Sequence, residues 1–311
     1  MRILHSCYLS LIFTIPLMAD APGRLPGFNV PAPDPGVLEI QTPILGEVKA
    51  GKEAILCTYL EGELADDLYI ESYGAFQSSV GAHHAVLYTV KKHRAPGTYE
   101  CGSIEESMQE ETTFLAGTGG DSPTGPGTKV NLPAGVLFRA AKGQQIMIQT
   151  HWLNYTNQPL RGQAVFHIQS RKPEPSDKIA DFFFVSTSKL YLNPEDKHRE
   201  AQGRCTMRED LTFFMTAGHM HEYGKHVKVT LKRKEGETMT LIDHAWNPHF
   251  TAVPPAYLEQ IQVRKGDELI VDCTYKDKID KPLSYPTEMC GAIGFFYPAR
   301  KTMVCFDDQM Q

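Results

Sequence analysis

Two histidines, His219 and His221, are spaced so that they could bind the same metal ion. They lie in the run LTFFMTAGHMH, which has the composition of a strand, and residues two apart on a strand point to the same face. An isolated His-x-His pair in a β protein is more often one exposed and one packed histidine, so further ligands are needed. Imidazole binds zinc, copper, iron or nickel, and a methionine thioether, here that of Met289, would favour copper, in particular Cu(I).

A second group of histidines lies in the first half of the chain. His83 and His84 are adjacent, and adjacent strand residues point to opposite faces, so both can reach one ion only if the strand start is twisted or bulged. Gly81 permits such a distortion. His151, in the strand-like run MIQTHW, could complete a three-histidine site. Gln149 shares the strand face of His151 and is either a supporting group beside the site or an ordinary polar strand residue.

The elements that must position these residues are short strands. Strand-like runs bounded by Gly, Pro or Asn recur along the chain, and many alternate apolar and polar residues or are rich in β-branched and aromatic types. They include VLEIQTP, EAILCTYL, HAVLYTV, QQIMIQTHW, DFFFVST, HVKVTLKR, ELIVDCTY and AIGFFYP. Almost no segment has a helical pattern, so we predict an all-β protein built from β-sandwiches. The run SRKPEPSDK is the best linker candidate, which predicts one domain at 22–172 and another at 173–311.

The composition and the first residues limit the classes of function. The chain has 311 residues and a formal net charge of −6 with no basic block, so a nucleic-acid partner has no electrostatic support. Residues 1–21 have a short basic start, an apolar run and small residues at the end, which predicts a signal peptide and a secreted or periplasmic protein. Because no second long apolar run follows, we expect no stable membrane span.

The cysteines that follow this segment form an even set, which in an exported chain favours disulfides over free thiols or a zinc cluster. Their spacing alone leaves the pairing open. They are Cys57, Cys101, Cys205, Cys273, Cys290 and Cys305.

Four motifs occur in a fixed order along the chain. They are HH at His83 and His84, QTH ending at His151, H-x-H-x-x-G-K from His219 to Lys225, and EMC from Glu288 to Cys290. In this order and spacing the chain resembles the copper type II, ascorbate-dependent monooxygenases, the family of peptidylglycine α-hydroxylating monooxygenase and dopamine β-monooxygenase. The resemblance extends over nearly all of the chain after the predicted signal peptide, and four ordered motifs are far more specific than one His-x-His pair.

The resemblance implies two tandem antiparallel β-sandwich domains of jelly-roll type, each with a copper site. It implies an electron-storing copper held by His83, His84 and His151, and a catalytic copper held by His219, His221 and Met289. It also implies the disulfides Cys57–Cys101, Cys205–Cys305 and Cys273–Cys290. Two copper ions per chain are therefore expected, and the three-histidine copper is expected to be distant from the catalytic one, so that the orientation of the domains matters.

The implied reaction is hydroxylation of a substrate C–H bond with O2 and two electrons from ascorbate or a similar donor. The substrate could be a small molecule or a peptide. Peptidylglycine enzymes hold a terminal carboxylate with an arginine and a tyrosine, at positions occupied here by Ala217 and Ile293. Without those charge-assisted and hydroxyl contacts, a peptide with a C-terminal glycine is not the expected substrate.

Two other classes of function stay open. One is an exported, non-catalytic copper-binding protein for storage or sensing. The other is a zinc-dependent hydrolase, which histidine clusters can also support. For the hydrolase we find no clear general-base carboxylate beside the histidines, because Glu222 points to the opposite strand face.

The remaining candidates have simpler interpretations. Met207, Met215 and Met220 are expected to pack in the core rather than bind metal. Surface or loop positions are expected for His167, His198, His226, His244 and His249. Asn154 begins a glycosylation sequon, Asn154-Tyr155-Thr156, and it would have to point outward to be modified.

Overall fold

The computed structural model describes residues 23–78, 81–102, 112–119, 127–154, 156–197, 199–246, 256–299 and 302–310. The predicted signal peptide lies outside the described residues, as do His198, His249 and the middle residue of the sequon. Within the described ranges every regular element is a strand and there is no helix, so the all-β prediction is confirmed. Accordingly, these ranges contain no apolar helix of the length needed to cross a membrane.

Ten strands precede the linker candidate. They are β1 Leu38–Gln41, β2 Glu53–Tyr59, β3 Leu68–Gln77, β4 Ala82–Val90, β5 Gly97–Glu100, β6 Thr112–Gly119, β7 Thr128–Asn131, β8 Val136–Ala140, β9 Gln145–Leu153 and β10 Ala164–Ser170.

Twelve strands follow it. They are β11 Lys178–Ser186, β12 Tyr191–Leu192, β13 Glu200–Thr206, β14 Leu211–His219, β15 Gly224–Lys232, β16 Thr238–Ala245, β17 Ala256–Val263, β18 Glu268–Tyr275, β19 Leu283–Ser284, β20 Gly291–Tyr297, β21 Met303–Phe306 and β22 Gln309–Met310.

In each half of the chain, a separate sheet packs against a series of strands of one long sheet. In the first half, the sheet β5-β2-β9-β4-β6 faces the series β1-β10-β3-β8. In the second half, the sheet β13-β18-β15-β16 faces the series β11-β20-β14-β17. The burial pattern of the strands explains this packing. In β18, for example, residues alternate between buried and partly exposed positions along the whole strand. Such alternation gives one face to a core and the other to solvent, which is consistent with β-sandwiches.

The two halves are joined through a sheet and through a core. Strand β8 pairs in parallel with β11, so the series from each half form one continuous sheet. The core of the first half also takes in side chains of the second: the Phe114 ring stacks on Phe182 at a centroid distance of 4.8 Å, and Phe138 packs edge-on against Phe295 at 4.8 Å. Strand β10 ends at Ser170 and β11 begins at Lys178, but the division into two domains between them stays a prediction.

Asp181, near this junction, carries a carboxyl group that burial disfavours in its charged form. The carboxyl accepts hydrogen bonds from its neighbour's backbone N–H and from the Thr302 hydroxyl, at 2.8 and 3.0 Å. Burial nevertheless raises the pKa of Asp181 to about 6. An unfolded aspartate titrates near pH 4, so ionisation of Asp181 destabilises the fold above pH 6 and has no effect below pH 4, where both states are protonated.

We therefore expect Asp181→Asn to raise the free energy of unfolding by about 2 kcal/mol at pH 8 and by little at pH 4. Urea unfolding at the two pH values measures the difference. Asp177→Asn is the matched control. It should lower the free energy of unfolding at pH 8, because Arg171 stabilises the charged form of Asp177 with two hydrogen bonds. An equal effect of Asp181→Asn at both pH values would contradict the assignment.

Candidate metal centre

A bulge at the start of β4 brings the two adjacent histidines to one side. Ala82 pairs with Trp152 and His84 pairs with His151, so His83 is the additional residue in the ladder. Gly81, just before, has a φ of +93°, in the region that favours glycine. As a result the rings of His83 and His84 lie on one side, with centroids 5.2 Å apart. The distortion predicted from the adjacency of the two histidines is confirmed.

Gly81→Ala is expected to disturb this histidine pair. A Cβ at Gly81 would lie 2.5 Å from the carbonyl oxygen of Leu153, in a backbone conformation that alanine rarely adopts. We expect a loss of at least about 2 kcal/mol in the free energy of unfolding, together with weaker metal binding. Gly143→Ala is the matched control, because Gly143 has a φ of +79° but a Cβ added there would meet no atom within 4 Å. If both variants lose the same stability, the close approach at Gly81 is not the cause.

His151 joins this pair from the neighbouring strand. It lies on β9 opposite His84, and its ring centroid is 4.8 Å from that of His83 and 5.0 Å from that of His84. Its Nε2 atom is 2.6 Å from a carboxylate oxygen of Glu53, the first residue of β2. The three histidines that the sequence groups together are therefore close in space.

His219 and His221 also lie together, but not on one strand as predicted. His219 is the last residue of β14, and His221 lies in the turn that leads to β15. The reason is the carboxylate of Glu288, which accepts the backbone N–H of His221 at 2.6 Å in place of a sheet partner. The two ring centroids are 5.3 Å apart, and the Nδ1 atom of His221 is 3.0 Å from the carbonyl oxygen of Thr287.

Glu288 ties the two parts of the second ligand group together. This fully buried carboxylate accepts the backbone N–H groups of His221, Tyr223 and Met289 at 2.6, 2.9 and 3.0 Å. Burial raises its pKa, and the three donors act in the opposite direction. The hydroxyl of Tyr275 donates to the carbonyl oxygen of Met289 at 2.9 Å. The backbone around the thioether is thus fixed on both sides.

Glu288→Ala is expected to lower the free energy of unfolding by at least about 2 kcal/mol, because three buried backbone N–H groups lose their acceptor. Glu288→Gln keeps one acceptor oxygen, so its free energy of unfolding should lie between those of Glu288→Ala and the parent. Urea unfolding measures both. Glu222→Ala is the control, since Glu222 makes only a partly exposed contact with Lys276 and should change stability by less than about 1 kcal/mol. If Glu288→Ala were as stable as the parent, the role of the carboxylate would be refuted.

The two histidine groups form one cluster, whereas the sequence analysis expected them to be distant. The ring centroid of His83 is 4.7 Å from that of His221 and 5.9 Å from that of His219. The centroids of His151 and His221 are 5.8 Å apart. The order of motifs along the chain carries no information on this distance, which depends on how the two halves are joined.

A small cavity of about 70 Å³ adjoins the cluster. Residues of both halves line it: Glu53, Ile55, His84, Gln149, His151, His219, His221, Pro286, Thr287 and Met289. Met289 therefore shares a cavity with four of the five histidines. Gln149 lines this cavity together with His84 and His151, so it lies beside the first ligand group, as one of its two interpretations required.

The side chains are suited to bind a metal ion. The Nε2 atoms of His83, His219 and His221 are buried and have no hydrogen-bond partner among the described residues. Ligand atoms of His83, His219 and His221 lie within 4.8 Å of one another, and so do those of His83, His84 and His151. Burial lowers the pKa of His219 to about 3 and those of His83 and His84 well below the usual value, so these imidazoles are neutral, as metal ligands must be.

The donor set fits copper. Neutral imidazoles suit several transition metals, whereas the thioether of Met289 in the same cavity is a soft ligand that copper accepts better than zinc does. A cluster of buried, unpaired nitrogen atoms would be costly without a ligand.

The disulfides implied by the resemblance are confirmed. Cys57 bonds Cys101, Cys205 bonds Cys305, and Cys273 bonds Cys290. Cys290 follows Met289 directly, and its bond to Cys273 links the start of the segment that leads into β20 to strand β18. Three disulfides are consistent with an extracellular protein.

The three methionines other than Met289 that were considered as ligands have the expected roles. Met207, Met215 and Met220 are buried in the hydrophobic cores. Among the other histidines, His167 contacts Glu39 at 3.0 Å and His226 contacts Asp243 at 3.0 Å. His244 lies on β16, with Nδ1 3.0 Å from the carbonyl oxygen of Ala245.

Asn154, in contrast, does not point outward. The Asn154 side chain is buried, and its amide donates to the carbonyl oxygens of Val48 and Gln158 at 2.8 and 2.9 Å. Attachment of a glycan would require this part of the structure to open.

Two carboxylates beside the histidines were missed in the sequence analysis. Glu288 belongs to the EMC motif but received no role there. The other is Glu53, whereas the sequence was expected to offer no clear general-base carboxylate beside the histidines. Its position follows from the register of β2 with β9, in which Ile55 faces His151 and Glu53 is two residues before Ile55 on the same face. This register cannot be read from the sequence.

Comparison with known proteins supports the family. Residues 178–311 match the family model described as "Copper type II ascorbate-dependent monooxygenase, C-terminal domain". Residues 178–311 are therefore similar to the C-terminal domain of the copper type II ascorbate-dependent monooxygenases, and the resemblance predicted from the motifs is confirmed for this part of the chain. The matched residues include His219, His221 and Met289. Members of this family depend on copper and ascorbate. No curated protein matches the chain.

Two of the solved structures that match the chain are distantly similar to it. PNGase F, a glycosylasparaginase from Flavobacterium meningosepticum, is 11% identical, with 86% of this chain and 97% of that chain covered and a TM-score of 0.29. A structure of the infectious bursal disease virus Gt strain is 10% identical, with 86% and 74% covered and a TM-score of 0.23. These scores are too low to support any argument about fold or function.

Proposed function

We propose that the protein is a copper-dependent monooxygenase that hydroxylates a substrate C–H bond with O2 and an ascorbate-like reductant. The family match supports monooxygenase chemistry in general. The observation that carries the finer proposal is the convergence of five histidines from the two halves, four of which share one cavity with Met289. No simple packing role accounts for so many buried imidazoles in one place.

The ligand side chains divide into two groups with different properties. His83, His84 and His151 would hold the electron-storing copper, and His219, His221 and Met289 the copper that reacts with O2. A bound copper ion supplies one-electron redox chemistry at each group and, when reduced, activation of O2. The thioether of Met289 favours the reduced ion, whereas imidazoles alone support both oxidation states.

The protein keeps the second group ready to bind its ion. The carbonyl oxygen of Thr287 can only accept a hydrogen bond, so Nδ1 of His221 carries the proton and Nε2 is free for the metal. Burial keeps the ring of His219 neutral. Glu288 sets the position of His221 relative to Met289 through their backbone N–H groups. These contacts order the ligands before a metal binds.

The substrate is proposed to lack a terminal carboxylate next to the reacting carbon. Ala217 and Ile293 face each other across strands β14 and β20, and the Ile293 side chain packs against the hydrophobic core. This pair offers neither the positive charge nor the hydroxyl group that would hold a carboxylate. A neutral or apolar group of a small molecule, or a side chain of a peptide, fits this position better.

Copper loading and O2 uptake test the proposal. The full chain should bind roughly two copper ions and consume O2 when reductant and substrate are present. Met289→Leu keeps the volume of the side chain but removes the sulfur, so it should retain the first copper and lose turnover. Mass spectrometry of a panel of neutral and carboxylate-terminated candidates detects the added oxygen atom.

Met207→Leu is the matched control, because Met207 is a buried core residue outside the motifs and the cavity and a volume-conserving exchange costs less than about 1.5 kcal/mol. Full turnover in Met289→Leu would refute the proposed mechanism. Copper binding without O2 uptake for any candidate would instead support a non-catalytic protein that stores or senses copper.

A further inference from the structure

One ligand histidine differs from the others in having a carboxylate as its partner. Nε2 of His151 and Oε1 of Glu53 are 2.6 Å apart, a distance typical of a charge-assisted hydrogen bond. His221 contacts the neutral carbonyl of Thr287, and the cavity wall beside His84 includes the neutral side chain of Gln149. Among the described residues, a carboxylate thus hydrogen-bonds to only one ring of the five.

The contact determines which nitrogen of His151 can bind a metal. The Glu53 side chain is 42% exposed, as is usual for an ionised carboxylate, so in this 2.6 Å contact it can only accept a hydrogen bond. The proton of the shared bond therefore belongs to Nε2 of His151, which leaves Nδ1 free as the ligand atom. His221 has the reverse arrangement, because its Nδ1 carries the proton. His151 and His221 thus present opposite nitrogen atoms of their rings.

The charge of Glu53 also acts on an ion held by His151. A negative charge close to a metal stabilises its more positive, oxidised state, and a carboxylate partner makes the imidazole a stronger donor. The Glu53 side chain is 42% exposed and lies near the positive charge of Lys281, so water and this lysine reduce the effect without cancelling it. The second group combines a carbonyl-bonded imidazole with a thioether, which favours the reduced state.

We propose that Glu53 is a positioning residue that directs Nδ1 of His151 to the metal and lowers the reduction potential of the copper in the first group relative to the second. This inference rests on the proposed function. The difference in potential sets the direction of transfer of one electron. An ion held by His83, His84 and His151 would give up this electron, and an ion held by His219, His221 and Met289 would accept it.

The test uses the full chain with Glu53→Ala, which removes charge and acceptor, and Glu53→Gln, which removes only the charge. In a redox titration of the copper-loaded protein followed by electron paramagnetic resonance, both variants should favour reduction of the first copper about tenfold more than the parent, equivalent to about 59 mV for one electron. Copper affinity of this group should fall about tenfold in Glu53→Ala. Nitrogen-15 NMR of the metal-free parent should show the proton of His151 on Nε2, and Glu53→Gln should keep it there.

Glu39→Gln is the matched control, because Glu39 makes a similar contact with His167, at 3.0 Å, outside the cavity. It should leave both potentials unchanged. The proposal is overturned if both Glu53 variants keep the parent potentials, or if the proton of His151 in the parent lies on Nδ1. A parent that binds no copper overturns both this proposal and the proposed function. A parent with two distinct copper potentials but no O2 uptake overturns the proposed function alone.

Discussion

The burial of several neutral imidazoles against each other is the constraint on which the rest of the structure depends. Removal from water penalises the protonated ring, and the neighbouring rings would repel a second charge, so the cluster is stable only in its neutral form. Neutral imidazoles still have nitrogen atoms that need partners, and Nε2 atoms of three rings have none among the described residues. The fold therefore holds together a set of groups that gain their full stabilisation only from a bound ion.

Backbone features, rather than side-chain packing alone, hold this cluster in place. A bulge with a glycine at positive φ turns two consecutive histidines to the same side. A buried carboxylate replaces sheet pairing in the turn after β14 and brings His221 to Met289. Both features break the regular strand pattern at the site, and such local irregularities are common beside functional residues.

The sequence predicted the site in its chemistry better than in its geometry. Adjacency of His83 and His84 required a bulge, and the bulge is present, because two neighbouring strand residues have no other way to share a side. The spacing of the cysteines was compatible with several pairings, so the disulfides could be predicted only from the family resemblance. The position of His221 off the strand could not be predicted, because it depends on Glu288, which is distant in the sequence. Nor could the contact of Glu53 with His151, which depends on strand register, or the closeness of the two histidine groups, which depends on how the halves join.

The parallel pairing of β8 with β11 has a consequence for how the chain can be divided. The rings of Phe114 and Phe138 pack on those of Phe182 and Phe295 across the same junction. If either half were expressed alone, it would expose these aromatic rings together with an unpaired strand edge, which is the surface that promotes aggregation. We therefore expect the two halves to require each other, so that an exchanged half would need a matching apolar face and strand edge.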